Sequence, residues 1–387
     1  MSRLTIAIQY PGLGPQHPPR LQAIVDHCPY EASRVVAMEM YGKDSDYEWD
    51  PIEVDGISYE RHTVVSGSSE QGRRSGSALK KAVWSSLDEI SPDVLIVNGW
   101  GHRESQHSLT WARRHKCPTV LLSDSVKGNM KRVWWKEAYK KYLVRNCQSA
   151  FVAGTPQARY VAQLGIPEEK VFQPGSCSID NDYWEAASAK ARAGQEQLRN
   201  DYDLPEKYFL CVARFIDCKN LPFLLDSYAQ YCRESDEPWG LVLCGSGELE
   251  ASLRQQADRL QLRDVRFVGF RQVGDLPIYY GLASGFVLAS SVIECWGLVV
   301  NEAMACGLPV LVSNQVGSAE DLVVDGVNGF RFDPFLSSDL SQKMQILTED
   351  DELAEQMGTE SRRMIDAHSC DVAAQNLWGA VSAARAA

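Results

Sequence analysis

Residues 208–232 read YFLCVARFIDCKNLPFLLDSYAQYC. The run YFLCVARF (208–215) is apolar and of strand length. A short polar turn then leads into LPFLLDSYAQYC, whose apolar residues recur at helical spacing. A second apolar run, GLVLCGSG (240–247), follows within a few residues. Strand, helix and strand in this order make a βαβ unit, and continuous rather than alternating apolar runs mean that both faces of the sheet are covered.

The same alternation extends in both directions. Downstream, strands are expected at 265–270, 285–291 and 309–315; upstream, at 4–10, 34–41, 93–100, 119–125 and 150–156. Between the two series lies SIDNDYWEAASAKARAGQEQLRNDYDLPEK (178–207), which is polar and lacks a strand signal. A chain of 387 residues exceeds one ordinary core. The expected architecture is α/β, with two Rossmann-like doubly wound domains, 1–185 and 195–387, facing a central cleft.

Composition removes several classes of function. The net charge of −12 excludes a general nucleic-acid binder, which needs a basic face. No run of about 18 apolar residues exists to span a membrane, and the N-terminus passes straight into a strand, so no signal peptide is expected. The eleven cysteines are odd in number and contain no C-x-x-C pair. They read as reduced thiols in a cytoplasmic protein, without a zinc site.

Two features carry chemistry. Arg214 closes the strand at 208–215, and Lys219 precedes a helix whose first turn holds Asn220, a capping residue type, and Pro222. Two cations beside a helix N-terminus make an anion site. The second feature is ECWGLVVNEAMACGLPV (294–310), in which Glu302 sits eight residues after Glu294 inside an apolar helix. Buried there, Glu302 needs donors, and no Lys or Arg stands three or four residues away to supply them. Ligand hydroxyls would serve. Two D-x-D triplets, Asp44-Ser45-Asp46 and Asp180-Asn181-Asp182, read as solvated or structural rather than as metal ligands, and no metal or cofactor is expected.

In their order and spacing, R-F-x-x-x-K-N at 214–220, Glu294-x7-Glu302 and GSAEDLVVDGVNGFRF (317–332) resemble the donor domain of family-four retaining GT-B glycosyltransferases. The match runs from about residue 205 to 332; the first half resembles the family only loosely. The resemblance implies hexosyl transfer from a nucleoside diphosphate sugar, a UDP-sugar being favoured, by a metal-independent front-face mechanism. Arg214 and Lys219 would hold the diphosphate and Glu302 the ribose. Glu294 would hold the transferred sugar, with the backbone of Cys295, Trp296, Gly297 and Leu298 beside it. Gly269 and Phe270 would flank the base, with Arg271 next to them. Residues 1–185 become the acceptor side and 195–387 the donor domain, its last helix (about 370–387) a candidate to pack back on the first.

In the first half, Gly12 and Gly14 of YPGLGPQHPPR (10–20) occupy the family's Gly-rich turn without its adjacent glycine pair. A simple strand–helix turn explains them equally well. His102 follows a strand end and is a candidate to face the cleft on the acceptor side, a structural role being the alternative. Where the family presents a His that meets the donor sugar, this chain has Asp124, which accepts hydrogen bonds from hydroxyls but carries no positive charge; the alternative is a cap for the segment after it. Residues 127–145, KGNMKRVWWKEAYKKYLVR, hold seven Lys or Arg against one Glu and two tryptophans. An anionic membrane surface or a phosphorylated acceptor suits them, as does a solvated helix. Other functions of the same fold are a nucleotide-sugar epimerase and a non-catalytic glycan- or nucleotide-binding protein. The acceptor is not indicated.

Overall fold

The structure is a computed structural model that describes residues 4–30, 33–43, 57–68, 76–128 and 133–387. The triplet Asp44-Ser45-Asp46 and residues 129–132 of the basic segment lie outside the described residues. The chain divides into two compact units, Met1–Asp180 with His368–Ala387, and Asn181–Ala367.

The first unit holds a seven-stranded parallel sheet: β1 (Thr5–Tyr10), β2 (Arg34–Lys43), β3 (Glu60–Ser68), β4 (Val94–Asn98), β5 (Thr119–Ser123), β6 (Ser149–Val152) and β7 (Val171–Phe172). Its spatial order is β3-β2-β1-β4-β5-β6-β7. Successive residues of β1 and β4 point to opposite faces. Ala7, Leu95 and Val97 enter one core cluster and Ile6, Ile8 and Ile96 the other. The last helix, Cys370–Arg385, closes the second of these. Its Trp378 indole donates to the carbonyl of Ile24 at 2.8 Å, and Ser149 donates to that of Ala380 at 2.7 Å. Burying a side chain such as Leu377 there contributes about 1.5–3 kcal/mol.

The second unit holds six parallel strands: β8 (Tyr208–Val212), β9 (Gly240–Cys244), β10 (Val265–Gly269), β11 (Gly285–Leu288), β12 (Val310–Ser313) and β13 (Gly329–Phe332). Their order is β10-β9-β8-β11-β12-β13. In each sheet the direction of winding reverses once, between β1 and β4 in the first and between β8 and β11 in the second. A parallel α/β sheet takes its ligands at the carboxyl ends of the strands flanking such a reversal.

All ten expected strands are present. Three more were not anticipated: β3, β7 and β13, each the last strand at one side of its sheet. An edge strand has one neighbour and less cover, so a continuous apolar run is not required of it.

Candidate functional site

The loops after β8 and β11 bracket the reversal of the second sheet. Past β8 the chain makes a one-turn 3-10 helix, Asp217–Lys219, and Asn220 then takes the left-handed conformation (φ 56°) before the helix Leu221–Glu234. The capping expectation for Asn220 is corrected here: its side chain donates to the carbonyl of Pro334 at 3.0 Å and caps nothing. Pro222 stands in the first helical turn, where its missing N–H costs no bond.

This path delivers Lys219 to Glu294. The ammonium donates to Glu294 Oε1, while Ser290 Oγ donates to Oε2 at 2.7 Å. Both charged side chains keep only a small exposed fraction. The Glu294 backbone is fixed as well, its N–H donating to the carbonyl of Gln315 at 2.9 Å. Arg214 is exposed, two residues beyond the end of β8.

Gly297 then turns the chain into the helix Leu298–Ala305 with φ 95°. A Cβ at this position would lie 2.9 Å from Val316 Cγ1 and 3.7 Å from Glu294 Cδ, so only glycine fits both the angle and the space. Trp296 is buried and its indole donates to Asn301 Oδ1 at 2.8 Å, while Cys295 and Leu298 are half-buried. The Trp296 side chain therefore anchors the loop rather than facing a ligand.

Glu302, on the next turns of this helix, accepts from the Tyr280 hydroxyl at 2.8 Å. Burial pushes its carboxyl up to about 7, the Tyr280 hydrogen bond opposing that rise. Gly269 ends β10 with φ 77°, and Phe270 and Arg271 follow it, half-buried. The Arg271 guanidinium lies 5.6 Å from the centre of the Tyr279 ring. Two buried thiols register how these groups gather: Cys211 on β8 feels Lys219 and Glu294, and neighbouring Cys244 on β9 feels Arg271 and Glu302. Burial raises both to about 12.

Tyr280 and Ser290, which complete the two carboxylates, were not legible in the sequence. Nor was the role of Gly245 and Gly247 after β9. A Cβ at Gly247 would fall 2.5 Å from the Phe215 carbonyl, and Ser246 between them accepts from the Phe215 N–H at 2.7 Å. The G-x-G after a strand was the available signal.

In the first unit Asp124 lies just past β5 and accepts from the Ser176 hydroxyl. Burial raises its carboxyl, against the hydrogen bonds of Ser176 and Cys177 and the charge of Arg20. The capping alternative fails, because a loop and not a helix follows Asp124. The Gly14 amide donates to His17 Nδ1 at 2.7 Å, and Leu13, between the two glycines, donates to buried Glu39 at 3.1 Å. Neither Gly12 nor Gly14 adopts a left-handed conformation. The turn is thus held by His17 and by Glu39 of β2. His102 is exposed, 3.9 Å from Glu104, and takes no part in the cavity beside Asp124.

Of the remaining D-x-D triplet, Asn181 is buried and donates to the carbonyl of Ile365 at 2.9 Å, and Asp182 is 98% exposed. Among the described residues no group of His, Cys, Asp and Glu is placed to hold a metal ion, and no helix is long and apolar enough to cross a membrane. The basic segment forms the helix Trp134–Val144, with Trp134 82%, Trp135 54% and Tyr142 54% exposed. Lys136 lies over the Trp135 ring, and Arg113 of the neighbouring helix over Tyr142.

Residues 194–364 match the family described as "Glycosyl transferases group 1". An uncharacterised glycosyltransferase of Haemophilus influenzae is 32% identical over 162 residues, covering 42% of this chain and 45% of its own. The alpha-D-kanosaminyltransferase of Streptomyces kanamyceticus is 27% identical over 256 residues, 65% of this chain and 62% of its own. The chain thus spans about half the length of the curated relatives it matches. Across nearly the full chain, the crystal structure of Anabaena HepE in complex with UDP superimposes with a TM-score of 0.70 at 19% identity, covering 98% of this chain and 100% of that one. The fold is thus GT-B over nearly the full chain, and residues 194–364 match the model of the group 1 glycosyl transferases.

Proposed function

We propose that the protein is a retaining hexosyltransferase that moves a sugar from a nucleoside diphosphate sugar to an acceptor hydroxyl without a metal. The observation that carries this reading is the pair Lys219–Glu294, held by Ser290 at the reversal point of the second sheet. Each member has a natural successor partner, the donor diphosphate for Lys219 and sugar hydroxyls for Glu294. As the glycosidic bond to phosphate breaks, negative charge grows on the leaving diphosphate, where Lys219 and exposed Arg214 oppose it. In a front-face reaction a donor phosphate oxygen takes the proton of the acceptor hydroxyl as the acceptor oxygen bonds to the anomeric carbon and the bond from that carbon to the leaving phosphate breaks. No enzymic nucleophile is needed. Glu302, with one oxygen bound by Tyr280, has acceptor capacity left for a ribose diol.

A UDP-sugar is the favoured donor, in keeping with the UDP complex of the similar Anabaena protein. The cytoplasm, with peripheral contact to an anionic membrane through the helix Trp134–Val144, is the proposed setting; its exposed tryptophans and cations favour this over a fully solvated helix. The test is incubation with a panel of nucleotide sugars in EDTA, followed by nucleotide release and by the anomeric configuration of the product. Release with a retained anomer supports the reading. An isomerised nucleotide sugar without release identifies an epimerase, and no turnover of any donor refutes catalysis.

A further inference from the structure

Near the Lys219–Glu294 pair the second unit leaves apolar side chains in water. Val292, two residues before Glu294, is 50% exposed, and Phe335 and Leu336, just past β13, are 72% and 53% exposed. Single exposed apolar residues are ordinary. These three, however, stand on two loops tied to one short segment, Cys218–Asn220. The Ser291 N–H donates to the Cys218 carbonyl at 3.1 Å, and the Asn220 side chain donates to the Pro334 carbonyl at 3.0 Å. Residues 218 and 220 lie at most about 7 Å apart, two steps of extended chain. Lys219, between them, holds Glu294.

The loop that carries Phe335 is closed on itself. The Phe335 N–H donates to the Asp333 side chain at 2.9 Å, and the Leu336 N–H donates to the Asp333 carbonyl at 3.2 Å. Ile216 and Ile293, beside the same ties in sequence, are half-buried. Val324 and Val327, also exposed, precede β13, whose four residues span about 13 Å, and so stand at its other end.

The chemistry of the proposed reaction says what meets this rim. The acceptor hydroxyl has to reach the anomeric carbon of a sugar held by Glu294, so the body of the acceptor lies over the surface next to Glu294. An apolar body gains by removing Val292, Phe335 and Leu336 from water, and a polar one does not. The exposed carboxylates of Asp217 and Asp333 on the same loops repel an anionic body.

We propose that the acceptor carries an aliphatic group close to its reacting hydroxyl, and that Val292, Phe335 and Leu336 select for it. The proposal rests on the transfer reaction proposed above and names the class of its acceptor.

The test uses the full chain and the nucleotide sugar found active in the donor panel, with methyl, butyl and hexyl β-glucosides as acceptors. Nucleotide release above the acceptor-free rate is measured, and mass spectrometry follows the glycosylated product. The kcat/KM rises from methyl to hexyl by about tenfold or more, full burial of one methylene being worth about fourfold. Val292→Ser and Phe335→Ser each lower the hexyl value by about fivefold, the scale of half-burying an apolar side chain, and the double variant removes the dependence on chain length. Phe335→Leu retains it, as does Val324→Ser at the other end of β13. Thermal melts confirm that the variants are folded. Equal turnover of the methyl and hexyl acceptors, acceleration by none of them, or a chain-length dependence that survives the double variant overturns the proposal while donor turnover with a retained anomer still supports transfer. A concentration-dependent dimer that Phe335→Ser dissociates overturns it too, because a second copy would then cover the rim. If no nucleotide sugar turns over, the transfer reading itself fails and takes the acceptor assignment with it.

Discussion

Lys219 and Glu294 neutralise each other before any ligand arrives. Removing Lys219 therefore strands a carboxylate and, on the proposed role, also deletes a cation at the leaving group. Lys219→Ala is expected to cost about 2–4 kcal/mol of transition-state stabilisation, seen in kcat more than in donor KM. Steady-state kinetics at several donor concentrations decide the point, and an unchanged kcat refutes the role. Glu302 gives a pH signature. Its carboxyl is raised to about 7, so the unliganded protein holds it largely protonated below that pH. An ionised carboxylate accepts more hydrogen bonds from a ribose diol. Donor affinity should then rise as pH increases through about 7, and Glu302→Gln should flatten that limb. The sequence showed Glu302 to be a charge in need of donors. It did not show Tyr280, 22 residues away, because a side-chain contact across two helices leaves no periodic trace.

The helix Leu298–Ala305 is aimed by a single backbone angle at Gly297. Gly297→Ala pays for a left-handed angle, about 1–3 kcal/mol, and in addition for a Cβ pressed on Val316. Gly326 (φ 77°) has open space around its would-be Cβ, so Gly326→Ala carries the angle cost alone. In denaturant unfolding, Gly297→Ala should be the more destabilised of the two, and equal losses would deny the close approach. Legibility follows the same logic among strands. The buried runs at β1, β8 and β11 announce themselves, since a strand covered on both faces needs continuous apolar residues. At β3, ERHTVVSGS, polar side chains interrupt the run, and β7 has two residues in all. The loop after β8 was readable as charge spacing, but its 3-10 turn and left-handed Asn220 were not.

At the scale of the whole molecule, a chain of net charge −12 carries seven Lys or Arg against one Glu within residues 127–145. Sedimentation with anionic vesicles should capture the protein, salt should release it, and neutral vesicles should not bind. Charge reversal at Lys136 and Lys140 should abolish capture. Equal behaviour with both vesicle types would refute an electrostatic contact. EDTA during turnover should leave the rate unchanged, and a loss restored by Mg²⁺ or Mn²⁺ would refute metal independence.

The path of the chain has a further consequence. It leaves the first unit at Asp180, completes the second by Ala367, and only then returns with its final twenty residues. Every residue of the second unit is made before Trp378. The first must wait, with Ile6, Ile8 and Ile24 uncovered, until Trp378 is made some 354 residues after the carbonyl it binds. A chain lacking residues 368–387 would therefore present a complete second unit and an open first one, the form a chaperone would recognise.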